Sequence, residues 1–323
     1  RGAVHGGRCR RRGTRLPFAE HAVVRRGVDA RGEPRHDADT RRSEMPQWGT
    51  MLFNFDRTQV HSFLLSSAMF WLKEYHFDGL RVDAVSCMLY LDFGKRDGEW
   101  LPNKYGGREN LGAVEFFKKL SKAVDRLPTQ KLVFAEESTA YPYVTHPVKD
   151  GGLGFSFKWN MGWMNDVLAY MEMDSYFRKW NHDKLTFSLC YAFSEHYVLP
   201  FSHDEVVHGK KSLLNKMPGD YWQQFAQLRL LFAYQFAHPG KKLMFMGDEF
   251  GQYIEWRDDQ SLDWLLLEYP KHAEVQRMVR DLNRFYTTTG PMYRADDGWN
   301  GFLWLKPDDN LHSALAWMRM DER

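Results

Sequence analysis

Two hydrophobic rhythms alternate along the chain. From Arg57 to Tyr75 the apolar residues Val60, Phe63, Leu64, Ala68, Trp71, Leu72 and Tyr75 recur every three or four positions, the spacing of one helical face. A short apolar run from Phe77 to Val85 follows directly and reads as a strand over 77–84. The succession then repeats. Ala113, Phe116, Phe117, Leu120, Val124 and Leu127 predict a helix that Pro128 breaks, and 131–136 predicts the next strand. Further on, 154–158 predicts a strand, 159–173 and 184–193 helices, and 197–202 a strand. A helix over 221–237 is stopped by Pro239-Gly240 before a strand at 242–246, and Ala273 to Phe285 predicts the last long helix. Strands alternating with helices imply an α/β fold with a parallel sheet and crossover connections. Beyond Gly290 the rhythm shortens to aromatic alternation, at Phe302-Leu303-Trp304-Leu305 and again from Ser313 to Met318, as in strands without intervening helices.

Three of the strand runs end in acid. The first carries Arg81 and Asp83 two residues apart, so the two side chains share one face. A lone buried carboxylate is costly, whereas a guanidinium beside it keeps it ionised, which makes Asp83 a candidate nucleophile. Taken alone, the stretch equally fits a structural Arg–Asp pair. The second run, however, ends in Glu136 and Glu137, and the third in His203-Asp204-Glu205. In barrels of alternating strands and helices the active site is assembled at that end of several strands. Two carboxylates flanking a glycosidic bond, one as nucleophile and one as acid/base, serve retaining sugar chemistry, and a third can stabilise positive charge on the ring. Competing motifs are weaker. His203 and His208 are five residues apart rather than the four that stack two metal ligands on a helix, and no third ligand set accompanies them, so no metal is expected. Gly209-Lys210-Lys211-Ser212 lacks the upstream glycine of a phosphate loop, and Gly151, Gly152 and Gly154 read as turn residues. No cofactor is expected.

The stretches FDGLRVDAV (77–85), LVFAEES (132–138) and LPFSHDEVVHGKKSLLNKMPGD (199–220) together resemble the glycogen (1,4-α-glucan) branching enzymes of the α-amylase superfamily, glycoside hydrolase family 13. The resemblance runs from about Ser43 to about Trp317 and takes in PNKYGGREN (102–110), GGLGFSFKWNMGWM (151–164) and HPGKKLMFMGDEFGQ (238–252). It implies a partial (β/α)8 TIM barrel, with the five legible strands corresponding to the last five of eight, plus the start of a C-terminal β domain. The domain division expected is 1–44 atypical, 45–290 barrel portion and 291–323 the opening of the β domain. The resemblance further implies Asp83 as nucleophile, Glu136 as acid/base and Asp204 as transition-state stabiliser, with Arg81 fixing Asp83 and His203 bonding the sugar. Adjacent strand residues face opposite ways, so only one of Glu136 and Glu137 can serve, and the motif favours Glu136. Trp159, Asn160 and Trp163 follow a strand's C-terminal end and are candidates to line a glucan groove, though core packing at a helix start reads equally well. The expected substrate is an α-1,4-glucan such as glycogen, cut with retention and transferred to a sugar 6-hydroxyl. Preference for that hydroxyl over water comes only from the resemblance. A hydrolytic amylase-type or debranching relative and an inactive, truncated glucan-binding barrel are the alternatives. The full-length protein is expected to be a monomer.

Charge and composition qualify this reading at the N-terminus. The formal net charge is +2, but residues 1–44 hold 12 Arg, no Lys and 6 acids, leaving the other 279 residues net negative. Phe18 is the single aromatic in that segment, which has neither periodicity nor enough apolar surface to bury. A basic arm for nucleic acid would have such a charge. The alternative preferred here is translation partly out of frame: Val23-Val24-Arg25-Arg26-Gly27 encoded as GTG GTT CGA CGG GGN and shifted by one base reads Trp-Phe-Asp-Gly, a motif type the resembling family carries in this region. No nucleic-acid partner is expected. The chain begins with Arg rather than Met, and reads as a fragment. Cys9, Cys87 and Cys190 are odd in number and without metal spacing, which points to a reducing, cytoplasmic compartment. No apolar run reaches membrane-spanning length, so no membrane partner is expected. Aromatics at 15% suit stacking against sugar rings, although most belong in a core.

Overall fold

A computed structural model describes residues 37–321. Cys9, Phe18 and the readings of the Arg-rich segment up to residue 36 lie outside the described residues. The elements run α1 (Thr40–Ser43), β1 (Glu44–Met45), β2 (Thr50–Met51), α2 (Thr58–Lys73), β3 (Gly79–Val82), α3 (Val85–Leu89), α4 (Leu111–Asp125) and β4 (Leu132–Ala135). They continue with β5 (Phe157–Trp159), α5 (Met161–Glu172), α6 (Asp183–Thr186), β6 (Tyr197–Phe201), α7 (Leu213–Lys216), α8 (Tyr221–Ala237), β7 (Lys241–Met244), α9 (Pro270–Thr288), β8 (Phe302–Asp309) and β9 (Ala314–Arg319).

Strands β3 to β7 form one parallel sheet in chain order, from Gly79 opposite Leu132 in β3–β4 to Phe201 opposite Met244 in β6–β7. A helical crossover separates most successive strands, the construction of a (β/α) barrel, here five strands of one. Local sequence explains the helices that frame it. Asn110 caps α4 by accepting from the Ala113 N–H, and the predicted stripe of Ala113, Phe116, Phe117, Leu120 and Val124 is its buried face. Asp220 and Gln223 close a reciprocal capping box at the start of α8, which ends at Ala237 ahead of Pro239. At β3, Gly79 lies so close to β4 that a Cβ there would sit 2.5 Å from the Leu132 carbonyl oxygen. One buried cluster joins α2, α3 and α4 to β4, and a second joins α5, α8 and α9 to β6.

Two elements depart from the sequence reading. The helix predicted over 184–193 is α6 followed by a 3-10 turn, Phe187–Cys190. Ser188 and Leu189 are both buried there while Phe187 is exposed, and the Ser188 hydroxyl meets His238 Nε2 at 2.9 Å, a pattern that a 3.6-residue period does not supply. The strand predicted at 154–158 enters the ladder only at Phe157, because the N–H groups of Leu153, Gly154 and Phe155 bond to the carbonyls of Tyr143, His146 and Val144 instead. At the C-terminus β8 and β9 form an antiparallel pair. It is tied to the barrel by Trp317 Nε1 and Arg319 donating to the last carbonyl of α8, on Ala237, and by Arg319 pairing with Asp296 at 2.5 Å. Among the described residues no helix is long and apolar enough to cross a membrane.

Candidate active site

The chain leaves β3 through Asp83 and turns at Ala84, which holds a left-handed backbone (φ 49°) before α3 begins. A non-glycine residue in that region costs on the order of 1 kcal/mol. The turn directs the Ala84 N–H onto Glu136 Oε2 at 3.2 Å, and the Val85 N–H onto the Glu136 carbonyl at 2.9 Å. Glu136 itself continues the β4 ladder, donating its N–H to the Val82 carbonyl at 3.0 Å. Parallel pairing in this register therefore sets the two acids side by side.

One guanidinium nitrogen bridges them. Arg81 Nη1 lies 2.7 Å from Asp83 Oδ1 and 2.5 Å from Glu136 Oε2, which caps the separation of those two oxygens at the sum of the distances, 5.2 Å. Burial, then the hydrogen bond and negative charge of Asp83, raise the Glu136 carboxyl to about 8 against the opposing pull of Arg81 and the Ala84 N–H. The direction of this shift favours the protonated form of Glu136 relative to a free carboxyl.

Glu137 points elsewhere. It is fully buried, accepts from Ser86 Oγ at 2.9 Å and from the Thr139 N–H at 2.8 Å, and pairs with Lys158 Nζ at 2.5 Å. Lys158, buried on β5, also donates to the Thr139 carbonyl at 2.7 Å. A compensated ion pair thus sits directly behind the Asp83–Glu136 pair and fixes the turn after β4.

The remaining candidate residues take three different places. Trp159 ends β5, is 6% exposed and has the Arg81 guanidinium over its ring, 5.0 Å from the centroid. Asn160 is buried and caps α5 by accepting from the Trp163 N–H at 2.9 Å, with the Tyr191 hydroxyl as a second donor at 3.2 Å. His203 and Asp204 stand on the 3-10 turn after β6, with Asp204 Oδ1 3.2 Å from His203 Nε2 and the Asp204 carbonyl held by Lys210 Nζ at 2.7 Å. Because all five strands are parallel, Asp204 lies at the same edge of the sheet as Asp83 and Glu136. Direct contact joins Arg81, Asp83, Glu136 and Trp159, while His203 and Asp204 form a separate pair. A cleft of about 570 Å³ opens beside Glu137, lined by Lys158, Trp159, Asn160, Tyr191 and Tyr197 among others. Among the described residues no group of three or more His, Cys, Asp or Glu is arranged to hold a metal ion.

Sequence reasoning missed Ala84, Lys158, Tyr191 and Lys210. A basic residue inside the aromatic run Phe157-Lys158-Trp159 was the available signal for Lys158, since a buried ammonium demands a buried acid. Nothing local marks the left-handed Ala84.

Parallel strands that place acids at one edge of a partial (β/α) barrel define a barrel-type protein with its candidate site at the C-terminal ends of the strands. Comparison with known proteins narrows this. The chain is 57% identical over 284 residues to the 1,4-alpha-glucan branching enzyme GlgB of Halothermothrix orenii, covering 88% of this chain and 45% of that protein. It is 55% identical over 284 residues to GlgB of Nitrosococcus oceani (88% of this chain, 38% of that protein). Against GlgB of Pseudomonas aeruginosa it is 56% identical over 272 residues (84% and 37%). Over that span the chain is a homologue of the 1,4-α-glucan branching enzymes. It spans less than half the length of these relatives. No protein-family model matches it.

Proposed function

We propose that this chain carries the reacting groups of a 1,4-α-glucan branching enzyme acting in glycogen synthesis. The observation that carries the reading is the Arg81 bridge, which keeps reacting oxygens of Asp83 and Glu136 within 5.2 Å. A retaining pair holds its carboxyls roughly 5–5.5 Å apart and an inverting pair roughly 6.5–9.5 Å apart around a water, and a bridge this short favours the retaining arrangement. The relatives' names support the choice of glucan and of branching.

In this reading Asp83 attacks the anomeric carbon of the donor chain while the C1–O4 bond breaks, and the Glu136 proton passes to the departing O4. The donor remains as an ester on Asp83. A 6-hydroxyl of the acceptor chain then attacks C1, the ester breaks, and the hydroxyl proton returns to Glu136. Asp204 and His203 steady the charged ring from the β6 side. Division into a barrel portion over 45–290 and a following β unit from 291, a cytoplasmic location and a monomeric whole protein belong to the same proposal.

The test uses amylose and the intact gene product. New α-1,6 points revealed by debranching, without a matching rise in reducing ends beforehand, are expected. A one-for-one rise in reducing ends would replace transfer with hydrolysis.

A further inference from the structure

We propose that Trp159 is a positioning residue for the reacting pair, acting through Arg81 rather than by stacking on a sugar. The inference rests on the assignment of Asp83 and Glu136 above. Trp159 is 6% exposed, and although it lines the cleft beside Glu137 its ring is faced by the Arg81 guanidinium, 5.0 Å from the centroid. Such a contact is attractive because the ring face is electron-rich, and it fixes the plane in which a guanidinium can lie.

That plane matters at this site. Arg81 reaches both carboxylates through one nitrogen, Nη1. A small rotation of the guanidinium would release one acid or the other. Without a floor the long side chain has many rotamers available, and Arg81 would no longer hold both acids at once. Trp159 reaches Arg81 from β5, two strands away from β3 in the sheet, so the fold places the floor independently of the strand that carries the guanidinium.

The consequence is legible in pH dependence. The groups around Glu136 are Arg81 and Asp83 on the β3 side, the Ala84 N–H, the Cys87 thiol of α3, and the paired Glu137 and Lys158. Asp204 and His203 stand at the end of β6, on the same edge of the sheet. Burial pushes the Cys87 thiol up to about 12, so it is neutral at working pH, and Glu137 is neutralised by Lys158. Arg81 is the neighbouring cation that favours the ionised form of Glu136. Loosening Arg81 raises the Glu136 pKa, and the alkaline limb of the rate profile, where the acid loses its proton, moves to higher pH.

Trp159→Leu, measured in the intact gene product, should shift that limb upward by about half a unit to one unit, while Trp159→Phe, which keeps an aromatic face, should shift it less. Site-specific fluorinated tryptophans at 159 drain the face potential at nearly constant shape and so keep the fold. With them the limb should move progressively with fluorine number. An unmoved limb across the fluorinated series would overturn the proposal, as would a rise in KM with kcat and the limb unchanged, the mark of a residue that contacts substrate. Asp83→Asn is run alongside. If that variant keeps full activity, the assignment of the carboxylates fails; if it is inactive and the limb still does not move, only the role of Trp159 fails.

Discussion

At the scale of single residues, the site divides labour between two adjacent glutamates by environment alone. Glu136 shares a guanidinium with Asp83 and is raised to about 8, whereas Glu137 is spent on Ser86, Thr139 and Lys158. Glu136→Gln should lower kcat by roughly 10²–10⁴-fold and abolish the alkaline limb near pH 8, because the group that titrates there is gone. A variant that keeps the limb would reassign it to another group. Lys158→Met should unfold more easily by about 3–5 kcal/mol, since it strands a buried carboxylate. Adding Glu137→Gln should recover most of that loss, and denaturant titration of the three proteins checks it. The Arg81–Asp83 pair is legible in the sequence because period-2 alternation places the two on one face, whereas the choice of Glu136 over Glu137 comes from the family motif. Contacts such as Trp159 with Arg81 are not, because they depend on how strands two places apart in the sheet approach each other.

Among the elements, what the sequence conveys and what it hides follow the same physics. Long helices with a clear stripe or stop are readable from residues alone: α4 carries its apolar stripe, and α8 its terminal Pro-Gly. Segments whose conformation is decided by distant partners are not. Residues 153–155 look like strand yet bond to 143–146, and 187–190 wind into a 3-10 turn because Ser188 is drawn to His238. The short α3 escapes for a related reason, since it begins from the left-handed Ala84. Asp220→Ala should cost about 1 kcal/mol by removing the α8 cap, with Asp220→Asn nearly neutral. Equal losses from both would mean that the carboxylate's charge rather than the cap holds the helix.

For the molecule as a whole, β3 and β7 are the outer strands of the five-stranded sheet, each with one strand partner among the described residues. Unpaired strand edges invite association. Residues 1–323 expressed alone are therefore expected to associate and to branch amylose poorly or not at all. Size-exclusion chromatography and the branching assay test this together, and a monomeric, cooperatively melting, active preparation would count against it.

The proposed reaction holds a sugar covalently on Asp83, and that intermediate can be caught. The intact gene product is incubated with a fluorinated α-maltosyl donor, whose electron-poor ring slows release of the ester, and digested at low pH for mass spectrometry. The predicted result is one glycosyl adduct on the peptide containing Asp83, absent from Asp83→Asn. An adduct on Glu136, Glu137 or Asp204, or turnover with inverted anomeric configuration and no adduct, would contradict it.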